Sequence, residues 1–253
     1  MCVLFFALDR HPRHRLVFAG NRDEFYRRPT APAAPWSECP GVIAGRDLEA
    51  GGTWLGVRGA GRWAVVTNVR DLPAHRPGAR SRGALVSDFL CGAASAADFA
   101  AEVFAARAEY NPFNLLVDDG EALWYVSTHT DAAAPLGPGV YGLSNATLGV
   151  RWPKVQRGLE TFERLIEVDD VAPEALLDLL HDDLRAPDDQ LPDTGIGLER
   201  ERMLSALFVT SADYGTRAST VLLLNREGGG LFVERAFGEG GVPGETRRFV
   251  LGP

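Results

Sequence analysis

Two short apolar runs open the chain, CVLFFAL at 2–8 and RLVFAG at 15–20, joined by the turn-rich segment DRHPRH. Apolar runs of strand length flanking a polar, proline-bearing connector read as a β-hairpin, with Cys2 opening its first strand. Residues 21–40 are rich in charge, proline and alanine, and strand signals resume on both sides. The segment is therefore expected as a long loop over a functional face rather than a linker. Strands are expected at 41–45, 53–58 and 62–67, the last two joined across Gly59-Ala60-Gly61. Between 84 and 108 the apolar spacing turns helical and strong helix formers dominate, which predicts one or two helices.

The period returns to two at 113–118 and 121–126, across the hairpin dipeptide Asp119-Gly120, and again at 138–143. Helices are expected at 153–167 and 174–185, the second entered through Asp170 and Pro173, where caps and prolines belong. A polar loop spans 186–200, and strands are expected at 204–211, 218–225 and 231–236. Strands, helices, strands, helices and strands in blocks predict an α+β fold: one domain over 1–253, its sheets mostly antiparallel and stacked, with helices covering them.

Composition narrows the partners. In 253 residues, 26 basic and 34 acidic side chains leave a net charge of −8, which argues against a general nucleic-acid binder or a polybasic membrane-surface protein. A small or apolar partner is expected. No apolar run approaches the ~18 residues of a membrane helix, so no membrane span is expected. The N-terminus lacks a basic region before its apolar stretch and a small-residue cleavage site, so the expected location is cytoplasmic. Three cysteines are too few and too far apart for a disulfide framework or a metal site of the CxxC kind. Cys39 and Cys91 are expected as ordinary thiols, Cys91 in the core of a helix. Lys154 is the only lysine beside many arginines, and alanine is abundant, a bias suggestive of a GC-rich bacterial genome.

Cys2 is the first candidate for chemistry. Removing Met1 leaves a free amine and a thiol on one residue; an α-amine with a pKa of about 7.7–8.0 serves as general base for its own thiol. A small residue at position 2 also simply begins a strand. Asn21, Arg22, Asp23 and Glu24 stand where the second strand of the hairpin ends, and antiparallel pairing returns that end to Cys2. A cation there lowers a thiol pKa and a carboxylate holds an ammonium, although four polar residues at a strand end also make a solvated turn. Asn68 and Asn145 each follow an apolar run. An asparagine amide preorganised toward an oxyanion is worth about 2.7–4 kcal/mol, while asparagine is equally a turn former. Arg217 precedes a strand and offers a second guanidinium, or a surface ion pair. Trp54 lies among glycines that allow close backbone approach, either walling a pocket or packing in the core. His11 and His14 are expected in an exposed turn. The five histidines show no metal-ligand spacing, so no metal is expected. Arg76, Arg80 and Arg82 form a basic cluster, solvated or facing an acidic head group.

Eight motifs occur in order over essentially the whole chain: MCVLFF with its early cysteine, NRDEF, GGTWLG, VVTN, RGALV, YNPFNLL, YGLSNA and YGTRAST. Together they resemble the NRDE family, the transport-and-Golgi-organisation homologues. That family is in turn similar to the N-terminal nucleophile hydrolases of the cholylglycine hydrolase type, such as penicillin V acylase and bile salt hydrolase. The resemblance implies a four-layer αββα sandwich and places catalytic roles at Cys2, Arg22, Asp23, Asn68, Asn145 and Arg217. Those enzymes carry arginine, two residues, then aspartate, whereas Arg22 and Asp23 are adjacent here. Asn21 or Glu24 therefore stays open for one of the two roles. Asn21, Glu24 and Trp54 are the expected substrate-binding residues. The function implied is hydrolysis of a linear amide or other acyl bond of a small, partly apolar substrate. The alternative is a non-catalytic carrier of haem or of a lipid or acyl-coenzyme A. No cofactor is expected, with haem as a cargo that Cys2, His11 and His14 would ligate.

Overall fold

In the computed structural model, which describes residues 2–252, β1 (Cys2–Leu8) and β2 (His14–Phe25) form the expected antiparallel hairpin. The chain divides into two compact units. One combines the chain up to Arg27 with Pro138–Val250, and the other is Arg28–Gly137 with the last residues of the chain. The first holds a six-stranded sheet in the order β10-β1-β2-β11-β12-β13, with β10 at Gly139–Leu143, β11 at Tyr214–Asn225, β12 at Gly230–Phe237 and β13 at Pro243–Leu251. Its helices are α3 (Pro153–Leu165), α4 (Pro173–Leu179) and α5 (Leu198–Leu204).

Strand alternation decides which residues meet the helices. Val3, Phe5, Ala7, Val17 and Ala19 point to one face and form a core with Val155, Leu159 and Phe162 of α3 and Leu176 of α4. Phe5 stacks on Phe162 at 6.0 Å between centroids. Gly158 is what lets α3 lie so close, since a β-carbon there would stand 2.2 Å from Cζ of Phe5.

The second unit is a seven-stranded antiparallel meander in chain order: β3 (Thr30–Pro35), β4 (Val42–Asp47), β5 (Leu55–Arg58), β6 (Arg62–Asn68), β7 (Phe113–Asp118), β8 (Leu123–Ser127) and β9 (Ala134–Leu136). Helices α1 (Arg82–Cys91) and α2 (Ala96–Ala105) cover it through Leu85, Val86, Phe89, Leu90, Ala100 and Val103. Ser95 caps α2, its hydroxyl accepting from the Asp98 N–H at 3.1 Å. Two motif glycines meet backbone to backbone: a β-carbon on Gly52 would lie 2.5 Å from the Gly83 carbonyl carbon, and Thr53 N donates to Gly83 O at 3.3 Å.

The α+β class, the antiparallel sheets and the helices in blocks are as expected, but four expectations are corrected. Residues 21–40 are not a loop. β2 runs on to Phe25 because β11 pairs with all of it, and β3, rich in alanine and proline, forms an edge where proline is tolerated. The strand expected at 204–211 is instead the end of α5 and a buried turn, held by Leu207 N and Phe208 N donating to Asp182 O. A short apolar run does not distinguish these outcomes. Helix α4 stops at Leu179, with Pro173 in its first turn and Ala172 rather than Asp170 at the cap. Finally, Cys39 and Cys91 are not separate thiols. They form a disulfide with Cα atoms 5.7 Å apart, and Cys91 is exposed at the end of α1 rather than in its core.

Candidate active site

The register places Cys2 opposite Arg22 and Val3 opposite Asn21, while β11 sets Ser219 beside Asn21 and Thr216 beside Asp23. Directly paired residues share a face, so Cys2 and Arg22 lie on one side of the sheet. Asn21 and Asp23, one step either way, lie on the helix-covered side. Cys2 is 6% exposed. Burial pushes its thiol above the usual cysteine value and the Asp23 carboxylate adds to this, while Arg22 and the Asp23 backbone N–H draw it back. The net direction is upward, so the thiol is held protonated at neutral pH.

Asp23 is buried, with Thr216 Oγ donating to its Oδ1 at 2.8 Å and the Tyr214 hydroxyl to its backbone carbonyl at 2.9 Å. Burial raises its carboxyl pKa, opposed by Lys154, the Thr216 hydroxyl and Arg22. Tyr214 is pushed well above the usual phenol value by burial and by the negative charge of Asp23, Glu24 and Cys2. Asn21 is committed to structure. Its Nδ2 donates to Leu180 O at 2.8 Å and to Leu207 O at 2.9 Å, and its Oδ1 accepts from Ser219 Oγ at 2.6 Å.

Glu24 returns to the Arg22 side, with Oε2 3.8 Å from Arg22 Nη2 and Oε1 accepting from Phe25 N. Arg217 sits at the register shift of β11, where Nη1 donates to Phe25 O and Tyr26 O, each at 3.1 Å. Burial and the neighbouring Arg22 lower its pKa, so the two guanidiniums feel one another. Asn145 follows β10 and is buried. Its neighbour Ser144 donates to Cys2 O at 2.9 Å and lies 3.3 Å from Asn145 Oδ1. The first unit thus gathers Cys2, Asn21, Arg22, Asp23, Glu24, Asn145 and Arg217.

Asn68 and Trp54 belong to the second unit. Asn68 closes β6 opposite Phe113, and Trp54, 8% exposed, accepts from Val66 N through its carbonyl. His11 and His14 are not in an exposed turn: both are buried and stacked at 4.7 Å. His11 Nδ1 accepts from the backbone N–H groups of Arg13 and His14, and its Nε2 meets Val168 O at 2.9 Å. Both ring nitrogens are occupied, which does not fit a haem ligand. Among the described residues, no group of three or more His, Cys, Asp or Glu is placed to hold a metal ion. In the basic cluster, Arg76 and Arg82 donate to backbone carbonyls and Arg80 pairs with Glu109.

Sequence reasoning passed over Ser144, Lys154, Tyr214, Thr216 and Ser219. Ser144 lies inside YGLSNA, and Tyr214, Thr216 and Ser219 lie inside YGTRAST, so the motifs that point to Asn145 and Arg217 also carry the hydrogen-bond partners of Cys2, Asp23 and Asn21.

The family model described as Transport and Golgi organisation 2 matches residues 1–239. Among curated proteins, the Transport and Golgi organization 2 homolog of Mus musculus is 35% identical over 257 residues, covering 93% of each chain. The Bos taurus homolog is 37% identical with the same coverage. A solved structure, the Caenorhabditis elegans N-acylethanolamine-hydrolyzing acid amidase ortholog, aligns over 88% of this chain and 92% of its own at 11% identity, with a TM-score of 0.48.

Proposed function

This chain belongs to the Transport and Golgi organisation 2 family, and on that footing we propose that it is an N-terminal cysteine nucleophile hydrolase acting on an amide or related acyl bond of a small, partly apolar molecule. The observation that carries the proposal is the pairing of Cys2 with Arg22, with a buried carboxylate, Asp23, one register step away.

A protonated, buried thiol needs a base. The α-amine created by excision of Met1 is within the same residue, and its pKa of about 7.7–8.0 suits the task. The excision itself lies outside the described residues. With the amine free and neutral, it takes the thiol proton as Cys2 Sγ attacks the carbonyl carbon, and Asp23 stabilises the ammonium that forms. Arg22 and Arg217 stabilise the developing negative charge, and Asn145 is the proposed oxyanion donor. The amine then protonates the leaving nitrogen, and water releases the acyl group from sulfur. Glu24 is proposed to contact the substrate. Asn21 is proposed to support the strand rather than touch the substrate, because its amide is fully engaged.

A second reading rests on the upward-shifted thiol: a chain that keeps Met1 would hold Cys2 inert and act as a carrier of an amphipathic cargo, a lipid, an acyl-coenzyme A or haem. With His11 occupied on both nitrogens, haem would rely on Cys2 or His14. The proposed location is the cytoplasm. A Cys39–Cys91 bond that persists in protein trapped from cells would argue for a more oxidising compartment. No helix among the described residues is long and apolar enough to cross a membrane.

The test is intact mass before and after a small thiol-reactive electrophile, with Cys2→Ala as control. Loss of the methionine mass and fast labelling that vanishes in the control are expected, followed by an amide and thioester substrate screen. Retained methionine with no labelling at Cys2 would overturn the hydrolase reading and favour the carrier.

A further inference from the structure

Lys154 is the only lysine in the chain, and it is 1% exposed. It occupies the first turn of α3, and the packing of Val155 against Gly142 and of Gly158 against Phe5 fixes that helix on β10 and β1. Two features make a cation unfavourable there: an ammonium removed from water needs a compensating charge, and the first turn of a helix carries the positive end of its dipole. On the helix-covered side of the same sheet lies Asp23, also buried, and Lys154 is among the positive groups acting on its carboxyl. The other charged groups acting on Asp23 are the chain's α-amine and Arg22 on β2, and the titratable Cys2 on β1 and Tyr214 on β11 feel its charge.

We propose that Lys154 is a positioning residue: its buried ammonium balances the buried Asp23 carboxylate and so keeps Asp23 anionic beside Cys2. Lys154 has no place among the groups proposed to touch substrate. It acts through Asp23, and Arg22, on the Cys2 face, is left to act on the nucleophile. The role in catalysis rests on the hydrolase reading above, whereas the charge pair does not.

A lone lysine is its own probe. The full chain grown with lysine labelled at Cε gives one lysine resonance that needs no assignment. In Asp23→Asn the titration midpoint of that resonance is expected to fall by about one to three pH units relative to the parent chain, the range for losing a close opposite charge. Coupling is reciprocal, so the Asp23 carboxyl carbon should titrate higher in Lys154→Met and return toward its parent value in Lys154→Arg. Equal lysine midpoints in the parent and in Asp23→Asn would overturn the proposal. If Asp23→Asn does not fold, the lysine variants decide. A folded Lys154→Met with an unchanged Asp23 midpoint overturns it. Folding lost in Lys154→Met and restored in Lys154→Arg supports it, and folding lost in both shows that shape rather than charge is required and overturns it. The titrations need neither substrate nor Met1 removal. A silent Cys2 with an intact lysine–aspartate coupling therefore sinks only the hydrolase reading, and a reactive Cys2 without the coupling sinks only this one.

Discussion

Replacing Asn21 by alanine should cost stability rather than chemistry alone. The side chain has no exposed surface, and its amide makes three hydrogen bonds, two to the carbonyls of Leu180 and Leu207 and one from Ser219. These tie β2 to the segment after α4, to the turn before β11 and to β11 itself. Asn21→Ala leaves the partner groups buried, and each buried polar group stripped of its partner costs about 1–3 kcal/mol. Second lone pairs on the two carbonyls and some local relaxation keep the sum below the full total, at about 3–5 kcal/mol. Against a total stability of about 5–15 kcal/mol, that is a large fraction.

The assay is urea unfolding of the full chain under fixed redox conditions. Ser219→Ala alone should cost about 1 kcal/mol. The double variant should cost less than the sum by about 1 kcal/mol, because both single changes break the same hydrogen bond. An Asn21→Ala protein within about 1 kcal/mol of the parent, yet with Cys2 labelling abolished, would refute the structural assignment and return Asn21 to the substrate side.

Three further outcomes are expected. Gly52→Ala should destabilise by about 3 kcal/mol in thermal unfolding, since its β-carbon would meet the Gly83 backbone on α1, whereas Gly137→Ala, with open space, should be silent. Reducing the Cys39–Cys91 disulfide, which spans 52 residues, should lower the unfolding free energy by up to about 4 kcal/mol, and thiol counts in denaturant should rise from one to three. Asp23 titrates higher in the folded chain than in the unfolded one, so between those two values the folded state holds the extra proton and stability falls as pH rises. The parent should therefore lose stability relative to Asp23→Asn from pH 3.8 upward, until the folded carboxyl has ionised, and a flat difference curve would refute the raised value.

The first hairpin, the meander and the helical blocks were legible because period-two and helical spacing follow directly from which face is buried. The far end of β2 was not, because polar side chains read as loop unless their partners are known. Those partners, Thr216 and Ser219, lie nearly two hundred residues further on. The same holds for Cys39 and Cys91, which the packing of α1 on the second sheet brings together across 52 residues. Residues 204–211 failed for a different reason: an apolar run of that length is buried equally well as a helix end and a turn. Cys2, Arg22, Asp23, Asn145 and Arg217 were legible as candidates from motif and charge. That Lys154 is buried was not, although a single lysine among arginines was visible from the start.

Strand alternation also bears on the spacing by which this chain departs from the cholylglycine hydrolase type. Arginine, two residues, then aspartate is an odd offset along a strand, and odd offsets put two side chains on opposite faces. Arg22 and Asp23 are offset by one, which is also odd. The shorter spacing has the same parity, and in this chain it puts a guanidinium on the thiol face and a carboxylate on the helix face. Of the two residues open for a role, Asn21 shares the Asp23 face but is committed to Leu180, Leu207 and Ser219, and Glu24 shares the Arg22 face, where its carboxylate lies near the guanidinium. Parity thus favours Arg22 and Asp23 themselves. The four-residue motif acts as two interleaved pairs, Asn21 with Asp23 toward the helices and Arg22 with Glu24 toward Cys2. A single-residue insertion after Arg22 would exchange the faces of everything beyond it. It should abolish Cys2 labelling even in a chain that still folds.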